Sequence, residues 1–169
     1  MAARRIKPPV QIAKPSVQGR AIDARFACFR LRAGRSGIEG TGVYAREPIP
    51  ARRKVIEYTG EKINMREAVR RLRGRHYHYI FRVSRRSCLD GRIGGSGAQL
   101  VNHCCDPNLF AWITKGHILL MSRRRIRTGE ELTLDYKYAA DTRLVSCKCG
   151  SPRCRGTINR KSGKERRWS

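Results

Sequence analysis

No run in this sequence approaches the ~18 apolar residues that a membrane-spanning helix needs, and no charged start leads into an apolar stretch as in a secretory leader. The chain is therefore expected to stay inside the cell, with no membrane partner. Acidic residues are scarce. Thirteen Asp and Glu stand against 38 Lys and Arg, a net charge of +25 over 169 residues. That imbalance exceeds what a solvated surface requires and draws the chain toward polyanions, nucleic acid first. No internal repeats are visible. Apolar residues make up 40% of the chain, enough for one modest domain with a thin core that a bound metal or cofactor would support.

Cysteine is not scarce. There are seven, an odd number, in a compartment that keeps thiols mostly reduced, which favours metal over disulfides. Cys147, Cys149 and Cys154 crowd into eight residues bent by Gly150 and Pro152. Structural zinc takes four ligands, so a fourth must come from elsewhere. Cys105 is the natural candidate, because it follows His103 and precedes a turn. Cys104 should point the other way. A zinc held by four thiolates would tie the C-terminal tail onto the segment Asn102-His103-Cys104-Cys105-Asp106-Pro107-Asn108 and make that tail one wall of a pocket.

Along the chain, residues 1–24 form a basic, proline-containing arm with little apolar periodicity, expected to be flexible. Short strands are expected at Phe26–Leu31, Val43–Ala45, Val55–Tyr58, His76–Val83, Phe110–Thr114 and His117–Met121. The glycines between 34 and 42 suit a tight hairpin. Asn64 reads as a helix cap with Glu67 in capping-box position. Met65, Ala68, Val69 and Leu72 make an apolar face at helical spacing, and Gly74 closes the helix. Arg66, Arg70, Arg71 and Arg73 give it a basic surface that suits either nucleic acid or solvent. The fold class is mostly β with short helices.

Four stretches in this order resemble the SET-domain protein lysine methyltransferases: Gly40-Thr41-Gly42-Val43, Glu57-Tyr58-Thr59-Gly60-Glu61, the Asn102–Asn108 segment, and Gly129-Glu130-Glu131-Leu132-Thr133-Leu134-Asp135-Tyr136. The cysteine run resembles the family's post-SET zinc segment. The resemblance implies a β-clip SET fold over 25–140, with a pseudoknot where the third and fourth stretches cross, one of the rare threaded topologies. Residues 141–169 would be the post-SET zinc segment and a basic tail. It implies S-adenosylmethionine as cofactor, bound around Gly40, Thr41, Gly42, Asn102, His103 and Tyr136. Tyr136 would be the catalytic tyrosine, with Tyr58 and Tyr79 as further aromatics of the lysine channel and Phe81 and Leu134 lining it. Structural zinc would sit on Cys105, Cys147, Cys149 and Cys154.

Some positions depart from the family's pattern. Cys104 stands where serine is usual, and Gln99-Leu100 replaces Arg-Phe. Leu134 occupies a position where the family carries Phe or Tyr and which governs how many methyl groups are added. Leucine there implies room for di- or trimethyllysine. The family's cysteine-rich segment ahead of the domain has no counterpart here, so the arm and first strands are expected to support the core.

The implied substrate is a histone or histone-like basic protein, which a +25 chain should repel. Either Glu61, Asp90 and Asp141 gather at the peptide groove, or nucleic acid supplies the attraction through the arm, the Arg66–Arg73 helix and the tail to Trp168. The second is the expectation, with DNA or the nucleosome as partner and the nucleus, or a bacterial nucleoid, cytoplasm or host nucleus, as location. Lys7 and Lys14 in the arm are candidates for automethylation. The other reading is a catalytically weak SET-fold module that binds nucleic acid or chromatin without turnover.

Overall fold

The computed structural model describes residues 21–73, 79–140 and 144–160. The elements run β1 (Leu31–Arg35), β2 (Thr41–Ala45), β3 (Lys54–Tyr58), β4 (Glu61–Asn64), α1 (Met65–Leu72), β5 (Ile80–Arg82), β6 (Ser87–Asp90), β7 (Asn102–His103), β8 (Leu109–Thr114), β9 (His117–Ser122) and β10 (Glu131–Leu134). They build three small sheets, ordered β1-β2-β10-β7, β3-β9-β8 and β4-β6-β5. The mostly-β expectation is borne out. Residues 1–20, 74–78, 141–143 and 161–169 lie outside the described residues, and with them most of the arm, Gly74, His76–His78, Asp141 and Trp168.

Period-2 patterning explains the strands. In β9, Ile118, Leu120 and Ser122 are buried while His117, Leu119 and Met121 face outward. The hairpin to β8 closes through Lys115 and Gly116, both at positive φ, with Thr114 opposite His117. Right-handed strand twist favours such a two-residue turn, and glycine takes its second position without strain. The β1–β2 hairpin pairs Arg35 with Thr41, the tight turn that the glycines suggest. The core is one cluster in which Val43, Ile49, Val55, Ile56, Leu109, Ile118, Leu120, Ile126 and Leu132 are wholly buried. Each such aliphatic side chain contributes about 1.5–3 kcal/mol by leaving water.

Three local expectations are corrected. The strand expected at Phe26–Leu31 begins only at Leu31. Ala24–Phe26 forms a short 3₁₀ turn capped by Asp23, whose carboxylate accepts from Arg25 N; Ala27 makes only an isolated bridge to Ile56. The expected apolar face of α1 is half used: Ala68 is buried and Met65 packs beside Ile63 and Cys88, but Val69 and Leu72 are exposed. The helix is only eight residues long and touches one small sheet, too little surface to cover a full apolar stripe. The helix cap holds, with Asn64 Oδ1 accepting from Glu67 N at 2.9 Å.

The third correction concerns charge. Arg71 belongs to the interior side of α1. It donates to Glu61 at 2.7 Å, Glu67 at 2.6 Å and the buried Asp90 at 2.8 Å. Arg70 is also held by Glu67. Hydrogen bonds from Arg70 and Arg71 pull the Glu67 carboxyl down to about 2, so the pairing persists at any neutral pH. The basic surface of α1 therefore reduces to Arg66 and Arg73.

What positions the site is the join between β7 and β10. They pair in parallel, Asn102 beside Thr133 and His103 beside Leu134, as the expected crossing of these segments requires. Asn108 locks the join. Its Oδ1 accepts from Thr133 N at 2.8 Å, and its Nδ2 donates to Glu130 Oε1 at 3.0 Å and to the Glu131 carbonyl at 2.8 Å. The side chain is buried, and each buried group left unsatisfied costs about 1–3 kcal/mol. Asn108→Ala is therefore expected to lower unfolding stability by about 2 kcal/mol or more, read by urea denaturation. A loss within the scatter of a surface substitution would show that the amide does not hold the join.

Candidate active site and metal centre

The join places Asn102 against the glycine loop between β1 and β2. Asn102 Nδ2 donates to the carbonyls of Glu39 and Thr41, both at 3.1 Å, and to Glu131 Oε1 at 2.9 Å. From the other side, Ser36 Oγ donates to the Glu131 carboxylate at 2.8 Å while accepting from Ile38 N at 2.9 Å. Tyr44 OH reaches the same carboxylate at 3.2 Å. A Cβ at Gly42 would run into that carboxylate, so glycine there lets the carboxylate lie against the backbone. Gly40 lies at φ 51°. Gly40, Thr41, Gly42 and Asn102 are thus brought together, with Glu131 as their hub. The motifs containing Glu131 and Asn102 were visible in the sequence; the partners Ser36 and Tyr44, 95 and 87 residues from Glu131, were not.

His103 sits on the other face of the join. Its Nδ1 accepts from Tyr136 N at 3.2 Å, which leaves its proton on Nε2, 3.4 Å from Cys105 Sγ. Burial lowers its pKa, against the pull of Asp135, so the ring is neutral at pH 7. It meets the Tyr136 ring edge-on at 5.4 Å.

Three phenols converge here. Tyr136 OH donates to the Val101 carbonyl at 2.7 Å, and Tyr58 OH to the Tyr79 carbonyl at 2.5 Å. Phe81 packs edge-on against Tyr58 at 5.3 Å, and Tyr138 stacks on Tyr136 at 5.9 Å. Burial pushes the Tyr58 and Tyr136 phenols well above their ordinary value. Tyr136 opposes ionisation of Tyr58, and Tyr138 and Tyr79 oppose that of Tyr136. Both hydroxyls stay protonated. Because each donates its proton to a carbonyl, each keeps lone pairs free to accept. Leu134 is buried in the same apolar cluster as Tyr58, against which Phe81 packs.

The tail closes this region from outside. Tyr138 and Asn159 form a parallel bridge. The wholly buried Asn159 donates from Nδ2 to the Ala139 carbonyl at 2.9 Å and accepts from Val145 N at 3.0 Å. Arg155 grips Asp135 through two bonds of 2.9 Å. Burial opposes charge on Asp135, but the Arg155 bonds win and hold its carboxyl below the usual range. Asp135, Arg155 and Asn159 were missed from the sequence, since a lone acid, arginine or amide carries no signal until its partner is known.

Cys105, Cys147, Cys149 and Cys154 lie together, their sulfurs all within 4.8 Å of one another. Cys105 Sγ is 3.7 Å from Cys147 and 3.9 Å from Cys154. Zinc–sulfur bonds of ~2.3 Å set tetrahedral sulfurs ~3.8 Å apart, so this donor set fits zinc. Backbone N–H groups of Arg155 and Gly156 point at Cys105 and Cys154, both at 3.3 Å, which stabilises thiolate charge. Burial opposes ionisation of Cys149, yet backbone donors at Cys105 and Ser151 bring it down to about 6. Cys104 is not one of the four: its thiol donates to the Asp106 carbonyl while staying beside Cys149, and burial, helped by that neighbour, lifts it to about 11.

Residues 40–137 match the SET domain family, and the chain belongs to it. Among curated proteins it is 36% identical over 146 residues to the histone-lysine N-methyltransferase SETD1A of Homo sapiens, covering 80% of this chain and 8% of that protein. It is 39% identical over 139 residues to the histone-lysine N-methyltransferase set1 of Dictyostelium discoideum, covering 77% and 9%. The chain thus spans less than a tenth of the length of these relatives. The crystal structure of KRYPTONITE in complex with mCHG DNA and SAH superposes with a TM-score of 0.67 at 30% identity, covering 78% of this chain and 29% of that one.

The purified protein is expected to carry one zinc per chain by elemental analysis. Without chelator, thiol titration should find Cys28 readily reactive, because Cys88 and Cys104 are buried. After chelation four further thiols should react, and proteolysis should cut between residues 144 and 160. A thiol count unchanged by chelation would refute the metal centre.

Proposed function

We propose that this chain is a protein-lysine N-methyltransferase that uses S-adenosylmethionine and acts on a histone or histone-like basic protein. The observation that carries the reading is the convergence, at the β7–β10 join, of the Tyr136 hydroxyl, the Asn102-His103 pair and the Glu39–Gly42 backbone that Asn102 holds. The relatives' names and the bound SAH of the structural neighbour support it.

The residues present fit the cofactor. Gly40, in its left-handed conformation, turns the Glu39–Thr41 backbone against Asn102, next to His103, where a nucleoside would be held. Those residues, with Tyr136, would hold it, and when bound it supplies an electrophilic methyl on a sulfonium. The chain's own work is on the amine. A free lysine has a pKa near ~10.4 and must lose its proton to act as a nucleophile. Tyr58, Tyr79, Phe81 and Leu134 offer a largely apolar channel that takes the ammonium out of water, and desolvation lowers its pKa. The Tyr136 and Tyr58 hydroxyls, their protons committed to carbonyls, accept from the amine N–H groups and aim its lone pair. Leu134 adds no hydroxyl and less bulk than an aromatic, which leaves room for a methylated amine.

Charge favours a nucleic-acid-assisted encounter. Glu61 and Asp90 are already engaged by Arg71, so they are poorly placed to attract a basic peptide. DNA or a nucleosome, held by Arg66, Arg73, the arm and the tail, supplies that attraction, which places the protein on chromatin or a nucleoid.

Transfer of labelled methyl to a histone mixture tests the reading. Tyr136→Phe is expected to cut the rate by about a hundredfold while zinc content stays at one. The wild-type rate should climb with pH as the substrate ammonium deprotonates. It should show no descending limb below about pH 10 from Tyr58 or Tyr136, whose pKa values are raised above the ordinary ~10. No transfer by the zinc-loaded wild type would refute the proposal. Mass spectrometry of the products should show di- or trimethyllysine, and Leu134→Tyr should shift them to monomethyllysine. The same spectra read any methylation of Lys7 or Lys14. Monomethyllysine alone from the wild type would refute the role given to Leu134.

A further inference from the structure

The β3–β9–β8 sheet turns one face to the core and leaves the other open. Across the open face run two rows set by the strand register: Lys54, Met121 and Phe110, then Glu57, Leu119 and Trp112. Trp112 is 55% exposed and Phe110 38%. β8 is the edge of the sheet. These rings cover nothing in the core, which Leu109, Ile118 and Leu120 already fill from the inner face.

Two arginines stand beside them on fixed backbone. Arg52, at φ 59°, is held by its N–H to the Ser122 carbonyl at 2.9 Å, and Arg123 by its N–H to the Asn108 carbonyl at 2.8 Å. Together with Phe110, Trp112 and Met121 they line a shallow hollow. Among the described residues, neither guanidinium makes an ion pair. Glu57, the acid in the second row, is paired with Lys54 at 3.1 Å and hydrogen-bonded to His117 at 2.6 Å. The face is therefore aromatic along its β8 edge, with two unpaired guanidinium groups beside the rings.

We propose that this face is a stacking platform for single-stranded nucleic acid. Phe110 and Trp112 are two residues apart on an extended strand, ~7 Å at the usual rise. That is about twice the ~3.4 Å step between bases on one strand of a duplex. Each ring can then take one unstacked base, which a single strand offers and a duplex does not. The rim arginines pair with phosphates, and a ring face accepts any base, so binding is tolerant of sequence. An acidic peptide would match the charge as well, but it gains less from two flat, separately spaced rings. The platform shares no residue with the transfer site. It deepens the nucleic-acid part of the reading above by giving one strand a defined seat, and it stands whether or not the methyl transfer does.

The test uses the full zinc-loaded chain carrying Trp168→Phe, so that Trp112 is the sole tryptophan. A fifteen-residue oligothymidine is expected to quench Trp112 fluorescence. In anisotropy titrations, Trp112→Ala should weaken binding of the same oligonucleotide about tenfold and binding of a fifteen-base-pair duplex less than twofold. Methyl transfer to a peptide is measured in parallel: its absence from every variant would sink the enzyme reading and leave this one standing. The platform is overturned if oligothymidine leaves the fluorescence unchanged. It is overturned equally if Trp112→Ala binds oligothymidine as its parent does, or if an acidic peptide quenches at lower concentration, which would make the face a protein-docking surface.

Discussion

The parallel pairing of β7 with β10 is the constraint on which the site depends. Only two residues on each side form the ladder, too few to hold by backbone bonds alone. Buried amides and a carboxylate complete it. Asn108 bonds Thr133 and the two glutamates, and Asn102 bonds Glu131 and the glycine loop. Because both segments are pinned within a few residues of each other, Asn102, His103, Cys105 and Tyr136 have little freedom to separate. The positions of the Tyr136 hydroxyl, the histidine and one thiol of the cysteine cluster are consequences of one crossing.

The tail is coupled to that crossing twice. The thiol cluster joins Cys105 to Cys147, Cys149 and Cys154, and the Asp135–Arg155 pair joins the residue beside Tyr136 to the residue beside Cys154. Asn159 then binds the tail back to Ala139. A metal held there would also help to close the pocket, a use that suits a chain with a thin core.

Charge is divided between two uses. Part of the arginine excess is spent inside, where Arg71 neutralises Glu61, Glu67 and Asp90 and Arg155 neutralises Asp135. Much of the rest faces outward, including the rim of the open sheet and Arg66 and Arg73. A count of charges does not distinguish these, because an inward arginine and an outward one differ only in which acids the fold brings near.

Much of the site was legible in residue order because its chemistry is local. Three thiols in eight residues require a fourth, Asn64 and Glu67 mark a helix start by their spacing, and the four motif stretches name the loop, the tyrosine and the histidine. The sequence by itself determined the mostly-β class and marked Cys147, Cys149 and Cys154 as a cluster, since each rests on spacing along one segment. Only the tertiary structure decided that Glu131 is the hub of the glycine loop, that Asn159 and Arg155 fasten the tail, that Arg71 lies inside, and that Val69, Leu72 and Trp112 stay exposed. Those outcomes depend on which distant surface arrives to cover or pair a side chain, and that is set by packing between segments rather than by periodicity within one.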